Sequence, residues 1–175
     1  MSPKKAIDFE KQMMLDKMYI INRKQNDEKP KLYFAGPWFD DEAESIMNYA
    51  EWLQDQLCEA GLNKYNVYFP RRHNESTPRD TFLSNINAID ECNAMIALVS
   101  SKDVGTAYEL GLATSNYCDI PVTLLGVDED TFKSKTNIML AFCTDNYIGV
   151  DQLRSFLMGE PVISYKMTNT WEDKE

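Results

Sequence analysis

Two carboxylates six residues apart, Asp103 and Glu109, stand in the segment Ser100-Ser101-Lys102-Asp103-Val104-Gly105-Thr106-Ala107-Tyr108-Glu109. The segment follows the apolar run Ala94 to Val99 and reads as a loop turning into a helix, with Asp103 in the loop and Glu109 about one turn into the helix. Two carboxylates meeting in one cleft suit the cleavage of a bond at an anomeric carbon. One attacks as nucleophile, and other groups handle the leaving group and the sugar. A carboxylate near a helix start also lies at the positive end of the helix dipole, which favours its ionised form. Taken alone the pair proves little, because most such carboxylates are solvated caps or surface ion pairs.

The other polar clusters are sparser. Arg71, Arg72 and His73 form the one dense basic group. They read either as a solvated loop balancing an acidic surface or as a contact for an anion, to which paired arginines are suited. Nothing places a nucleophile beside His73, which argues against a catalytic base there. Cys58, Cys92, Cys118 and Cys143 are far apart and form no CxxC pair, so buried reduced thiols are expected rather than a zinc site. Across 175 residues, 18 Lys and Arg against 28 Asp and Glu give a net charge of −10. That balance argues against a nucleic-acid polymer as partner, because counterion release needs clustered cations. No apolar run is long enough to span a membrane and no secretory signal opens the chain, so a soluble cytoplasmic protein without a membrane partner is expected.

Positioning these residues falls to alternating strands and helices. Leu32 to Ala35 reads as a first strand ended by Gly36-Pro37, and Asp40 to Ala60 as a helix with Ala43, Ile46, Met47, Ala50, Leu53 and Leu57 at helical spacing. Asn66 to Phe69 is a second strand and Pro70 to Thr77 a polar loop. A helix capped by Thr77, with Pro78 at its first position, runs to about Cys92. Ala94 to Val99, apolar on both faces, is a central parallel strand, followed by a helix from about Gly105 to Tyr117. Then come a strand from Pro121 to Leu125, a short helix from Asn137 to Phe142, a strand from Asn146 to Ile148 and a helix from Asp151 to Leu157.

This order predicts an α/β fold: an open, mostly parallel five-stranded sheet with helices on both faces, binding its ligand beyond the carboxyl ends of the strands. Residues 1–30 carry seven basic and five acidic groups and read as a helical arm and linker, 31–160 as the main domain, and 161–175 as a tail.

Four segments come in a telling order: Tyr33-Phe34-Ala35-Gly36-Pro37-Trp38-Phe39; Asp103-Val104-Gly105 with Tyr108-Glu109-Leu110-Gly111; Asn137-Ile138-Met139; and Thr144-Asp145-Asn146. From Lys31 to Ile148 the chain resembles the nucleoside 2-deoxyribosyltransferases. The resemblance implies a flavodoxin-like sheet and cleavage of the N-glycosidic bond of a 2′-deoxynucleoside. The deoxyribosyl group then passes to another free nucleobase, with no metal or organic cofactor, in a step of nucleotide salvage.

Position by position, Glu109 matches the family's nucleophile. Tyr33, at the end of the first strand, matches the tyrosine that orients it, and Asp103 a substrate-contacting aspartate. The substrate-binding positions implied are Gly36, Trp38, Phe39, Asn85, Asn137 and Met139. Asn137 and Met139 match residues lent by a neighbouring subunit, which implies a homo-oligomer, in the family commonly a hexamer built from dimers. Trp38, Phe39 and Tyr108 are candidates to wall the cleft and stack on a base, with core packing as the alternative.

One departure stands out. Four residues before Ile89 the family carries the aspartate that protonates the leaving base, and this chain has Asn85. Either another acid such as Asp80 takes that part, or the base is bound by hydrogen bonds alone. The tail also runs on through Trp171-Glu172-Asp173-Lys174-Glu175, where the family uses a terminal carboxylate. The alternatives are a hydrolase of 2′-deoxynucleoside 5′-monophosphates, with Arg71 and Arg72 on the phosphate, and a nucleoside-binding module without turnover.

Overall fold

Leu32, Tyr33, Phe34 and Ala35 are all fully buried. Such a run has both faces covered, as a central parallel strand requires. It forms β1 (Lys31–Ala35) of a computed structural model that describes residues 29–37, 41–99, 103–115, 118–126, 143–144 and 146–164. The chain continues through α1 (Asp41–Glu59), β2 (Asn66–Tyr68), α2 (Pro78–Glu91), β3 (Ala94–Leu98), α3 (Val104–Ala113), β4 (Val122–Gly126), β5 (Tyr147–Gly149) and α4 (Leu153–Met158).

The five strands pair only in parallel, in the order β2-β1-β3-β4-β5. The expected mostly parallel sheet is thus wholly parallel, with the flavodoxin-like strand order. Its order reverses between β1 and β3. The crevice beyond the carboxyl ends of those two strands is where such a sheet offers a ligand site.

Alternation along β1 sorts the layers. Leu32 and Phe34 pack with Met47, Ala50 and Leu53 of α1 and with Leu153 and Leu157 of α4. Tyr33 and Ala35 point to the opposite face, with Ile89 of α2 and Leu110 and Ala113 of α3. Period 2 in the strand therefore hands Tyr33 to the layer that holds Glu109. Tyr33 is the third of the five residues of β1 rather than its end.

Local chemistry explains most boundaries. α1 stops at Gly61, whose φ of +70° is the left-handed cap that glycine adopts without penalty. α2 starts as expected, with Thr77 Oγ1 accepting from Asp80 N at 3.1 Å and Pro78 in the first turn. The stretch expected to be loop from Pro70 to Thr77 instead opens with a 3₁₀ turn, Pro70–His73, in which Arg72 N donates to Phe69 O at 2.9 Å. Proline's fixed φ suits the head of such a turn. The helix expected to reach Tyr117 stops at Ala113. The last helix is preceded by a 3₁₀ turn, Val150–Gln152.

The helix expected over 137–142, nearly all of the 1–30 arm, and the tail beyond residue 164 lie outside the described residues. Among the described residues no helix is long and apolar enough to cross a membrane.

Candidate active site

Asp103 caps α3. Its Oδ1 accepts from Gly105 N at 3.0 Å and its Oδ2 from Thr106 N at 3.1 Å, with the Thr106 hydroxyl also on Oδ2. The capping role weighed for this carboxylate is therefore real. The cap fixes the helix start at the switch point, so that Glu109 falls on the side facing β1. Tyr33 Oη donates to Glu109 Oε1 at 2.7 Å. A phenol as buried as Tyr33 needs such a partner, because burying an unsatisfied hydroxyl costs roughly 1–3 kcal/mol.

Burial dominates the electrostatics of the pair. It pushes the Glu109 carboxyl up to about 7, helped by the negative charge of Asp103 and opposed by the hydrogen bond from Tyr33. Burial thus opposes the ionisation that a helix start favours. Burial, followed by the Glu109 charge, drives the Tyr33 phenol far above its ordinary range, so it stays protonated and acts only as a donor.

Around this pair the expected residues fall unevenly. Gly36 is buried at the carboxyl end of β1, where a Cβ would sit 2.5 Å from Met47 Sδ of α1. Tyr108 is half exposed and its ring meets Phe82 at 6.3 Å, which rules out the core role for this aromatic. Trp38, Phe39, Asn137 and Met139 lie outside the described residues. Asp80 accepts from Thr77 Oγ1 at 2.7 Å on the exposed surface, tied to its own helix start. Asn85 accepts at Oδ1 from Tyr68 Oη, 3.1 Å away.

Tyr68 escaped the reading of the sequence. Its ring stacks on Tyr33 with centroids 5.5 Å apart and on His73 at 4.1 Å, so it joins the Glu109 pair to Asn85. The only signal available was the placement of an aromatic at the carboxyl end of the second strand.

The basic cluster lies at the surface, with Arg72 and His73 exposed, and its two arginines balance acidic groups of α1. Arg71 Nε and Arg72 Nε donate to the two oxygens of Glu51 at 2.9 and 3.1 Å, and Arg72 grips Asp55 with two bonds of 2.8 Å. Glu51 is nearly buried, and the Arg72 bond holds Asp55 below the usual carboxylate range. Glu51→Ala is expected to cost about 1–3 kcal/mol of unfolding free energy, since hydrogen bonds to a charged group are lost and two guanidinium groups lose a partner. Urea titration of the two proteins measures it.

A cavity of about 400 Å³ runs along the edge of β2 and is lined by Lys31, Asn66, Tyr68, His73, Ser84 and Glu91 among others. Its lining does not include Glu109.

Comparison with known proteins bears on the chemistry. No curated protein matches the sequence. The 2-deoxyribosyltransferase of Bacillus psychrosaccharolyticus superposes with a TM-score of 0.58 at 20% identity, covering 77% of this chain and 98% of that one. The 2-deoxyribosyltransferase of Leishmania mexicana gives 0.52 at 19%, covering 76% and 99%. The CMP N-glycosidase of Clostridium botulinum gives 0.50 at 16%, covering 74% and 95%. At these identities the likeness establishes the fold alone. The sequence itself matches the family described as nucleoside 2-deoxyribosyltransferase over residues 32–151, a span that runs from β1 through β5 and contains Tyr33, Asn85, Asp103 and Glu109. With that match over most of its length, the chain belongs to the nucleoside 2-deoxyribosyltransferase family, enzymes that act on nucleosides at the N-glycosidic bond.

Proposed function

We propose that this protein transfers the 2-deoxyribosyl group of a 2′-deoxynucleoside to a second nucleobase through a covalent intermediate on Glu109. The observation that carries this reading is the half-buried Glu109 carboxyl held by Tyr33 Oη at 2.7 Å, in a chain of this family. Tyr33 occupies Oε1 and leaves Oε2 to attack C1′. As the Oε2–C1′ bond forms, the C1′–N bond breaks and the base leaves with its electron pair. A 2′-deoxy sugar supports the oxocarbenium-like state well, because it lacks the electron-withdrawing 2′-hydroxyl. In the second step a ring nitrogen of the incoming base attacks C1′, Glu109 departs as carboxylate, and the incoming base loses its N–H proton to solvent. One hard displacement becomes two easier ones.

The rival reading, hydrolysis of a 5′-monophosphate, would have to find its phosphate site elsewhere than Arg71 and Arg72, whose guanidinium groups are engaged by Glu51 and Asp55. Incubating the protein with a 2′-deoxynucleoside or its 5′-monophosphate, with and without a second free base, tests the proposal. A new deoxynucleoside that appears only when the second base is present is the expected result. Release of free sugar at the same rate with or without a base, or turnover of the monophosphate alone, would overturn it.

The site is proposed to be completed by Asn137 and Met139 of a neighbouring copy. Phe82, Leu83, Val104 and Tyr108 support this: they are large apolar residues left exposed at the starts of α2 and α3, beside the cleft. Exposed apolar groups gathered in this way commonly mark an interaction surface. Mixed oligomers of a Met139→Ala chain and a Glu109→Ala chain, each inactive alone, are expected to regain part of the activity. Mixed assemblies that stay inactive would count against a shared site.

A further inference from the structure

Tyr68 is held unusually firmly for a residue on an edge strand. Its ring is sandwiched between Tyr33 at 5.5 Å and 17° and His73 at 4.1 Å and 6°. Its hydroxyl reaches two residues of α2, donating to Asn85 Oδ1 at 3.1 Å and lying 3.2 Å from Ser84 Oγ.

A phenol has one proton. With that proton spent on Asn85, Ser84 must be the donor in the second contact. The chain of hydrogen bonds then runs one way, from Ser84 through Tyr68 to the Asn85 carbonyl, and each bond polarises the next. The carbonyl of Asn85 is thereby turned toward Tyr68, with one of its lone pairs used, and the NH₂ is the donor end of the same amide that can meet a ligand. An amide gives up no proton, but its N–H can stabilise negative charge that develops on a departing atom.

We propose that Tyr68 is a positioning residue for the reaction, holding Asn85 so that its NH₂ is presented to the departing base. This rests on the transfer reading above. The site then reads a hydrogen-bond acceptor on the edge of the base and returns no proton to it. The nucleosides it serves are those whose base is an electron-poor heterocycle that departs readily as an anion, with an acceptor atom facing Asn85. The proton the free base finally carries comes from solvent.

The experiment compares single-turnover base release by the wild type, Tyr68→Phe, Asn85→Ala, the double variant and Asn85→Asp, over 2′-deoxynucleosides whose bases span a range of leaving ability. Tyr68→Phe keeps the ring in its stack and removes only the hydroxyl. Asn85→Ala is expected to slow release by roughly 10²-fold, the usual loss of an anion-stabilising donor. Tyr68→Phe should lose a substantial part of this in kcat with little change in KM. The double variant should be no slower than Asn85→Ala, because Tyr68 acts through Asn85. Asn85→Asp, oriented by the same hydroxyl, should flatten the dependence of rate on leaving ability by speeding the poorest leaving groups. Adding Tyr68→Phe to Asn85→Asp should restore the steep dependence.

Losses that multiply in the double variant, or Tyr68→Phe behaving as wild type across the series, would overturn the inference and leave the transfer reading standing. A wild type that releases no base from any member of the series would overturn the transfer reading and this inference together.

Discussion

Glu109→Gln is expected to lower base exchange by roughly 10⁴-fold or more, because an amide oxygen is a poor nucleophile at C1′ and the covalent route is closed. Glutamine keeps the shape and still accepts the hydrogen bond that Tyr33 gives at 2.7 Å, so the loss is chemical rather than structural. The variant should even be the more stable protein at neutral pH and above. Folding raises the Glu109 carboxyl from its ordinary value of 4.5 to about 7, so between those values the native state binds more protons than the unfolded one. Stability that is complete below the lower value is lost as pH rises toward the upper. Glutamine has nothing to ionise. Its advantage should be absent at pH 4 and reach on the order of 1–3 kcal/mol above pH 7, the scale set by a shift of this direction and size. Thermal unfolding at both pH values reads the margin, and quenched single-turnover samples of the wild type should carry a deoxyribosyl ester on the peptide containing residue 109. Near wild-type exchange by the variant would remove Glu109 from the mechanism.

What could be read in the sequence follows from what local physics controls. The alternation of elements was legible because Ala94 to Leu98 is apolar on both faces and α1 carries its apolar residues at helical spacing, which together leave little but a covered parallel sheet. The cap at Thr77 was legible for the same reason, since a threonine before a proline and three residues before an aspartate has few other uses. The partnership of Tyr33 with Glu109 was not open to local reasoning. The two are 76 residues apart and meet only because β1 and β3 are neighbours. That pairing entered through resemblance to a family.

Charge was read least well, and for one reason throughout: ionisation depends on surroundings that the chain assembles at a distance. A helix start favours an ionised Glu109, and burial opposes it. Arg71 and Arg72 read either as a loop balancing an acidic surface or as an anion contact, and type alone does not name their partners. Glu51 and Asp55, one turn apart on α1, occupy them both. The i, i+4 spacing of those two carboxylates was the available clue, because it sets them side by side on one helix face. Tyr68 gave no clue by type, as a tyrosine in a strand is ordinary. Its weight comes from the stack it stands in and from the asparagine it holds.

The first half-reaction is expected to slow about tenfold for each pH unit below 7, because only the ionised carboxyl attacks and its proton must first be lost. The inflection should lie near 7, the value to which burial brings Glu109. A 2′-deoxynucleoside whose base leaves without prior protonation isolates this limb, since protonation of other bases in acid would speed their departure and mask it. Two substitutions should move the inflection in opposite directions. The hydrogen bond from Tyr33 lowers the Glu109 value, so Tyr33→Phe should shift the inflection upward, leaving the enzyme slow at pH 7 and partly recovered at pH 9. The charge of Asp103 raises that value, so Asp103→Asn should shift it downward while the amide oxygen still accepts from the start of α3. General damage to the fold would lower the rate at every pH without moving the inflection. Stopped-flow base release from pH 4 to pH 9 distinguishes these cases. An inflection between 4 and 5 in the wild type would mean that a solvated carboxylate does the work, and shifts of the same sign in both variants would detach Tyr33 and Asp103 from the ionisation of Glu109.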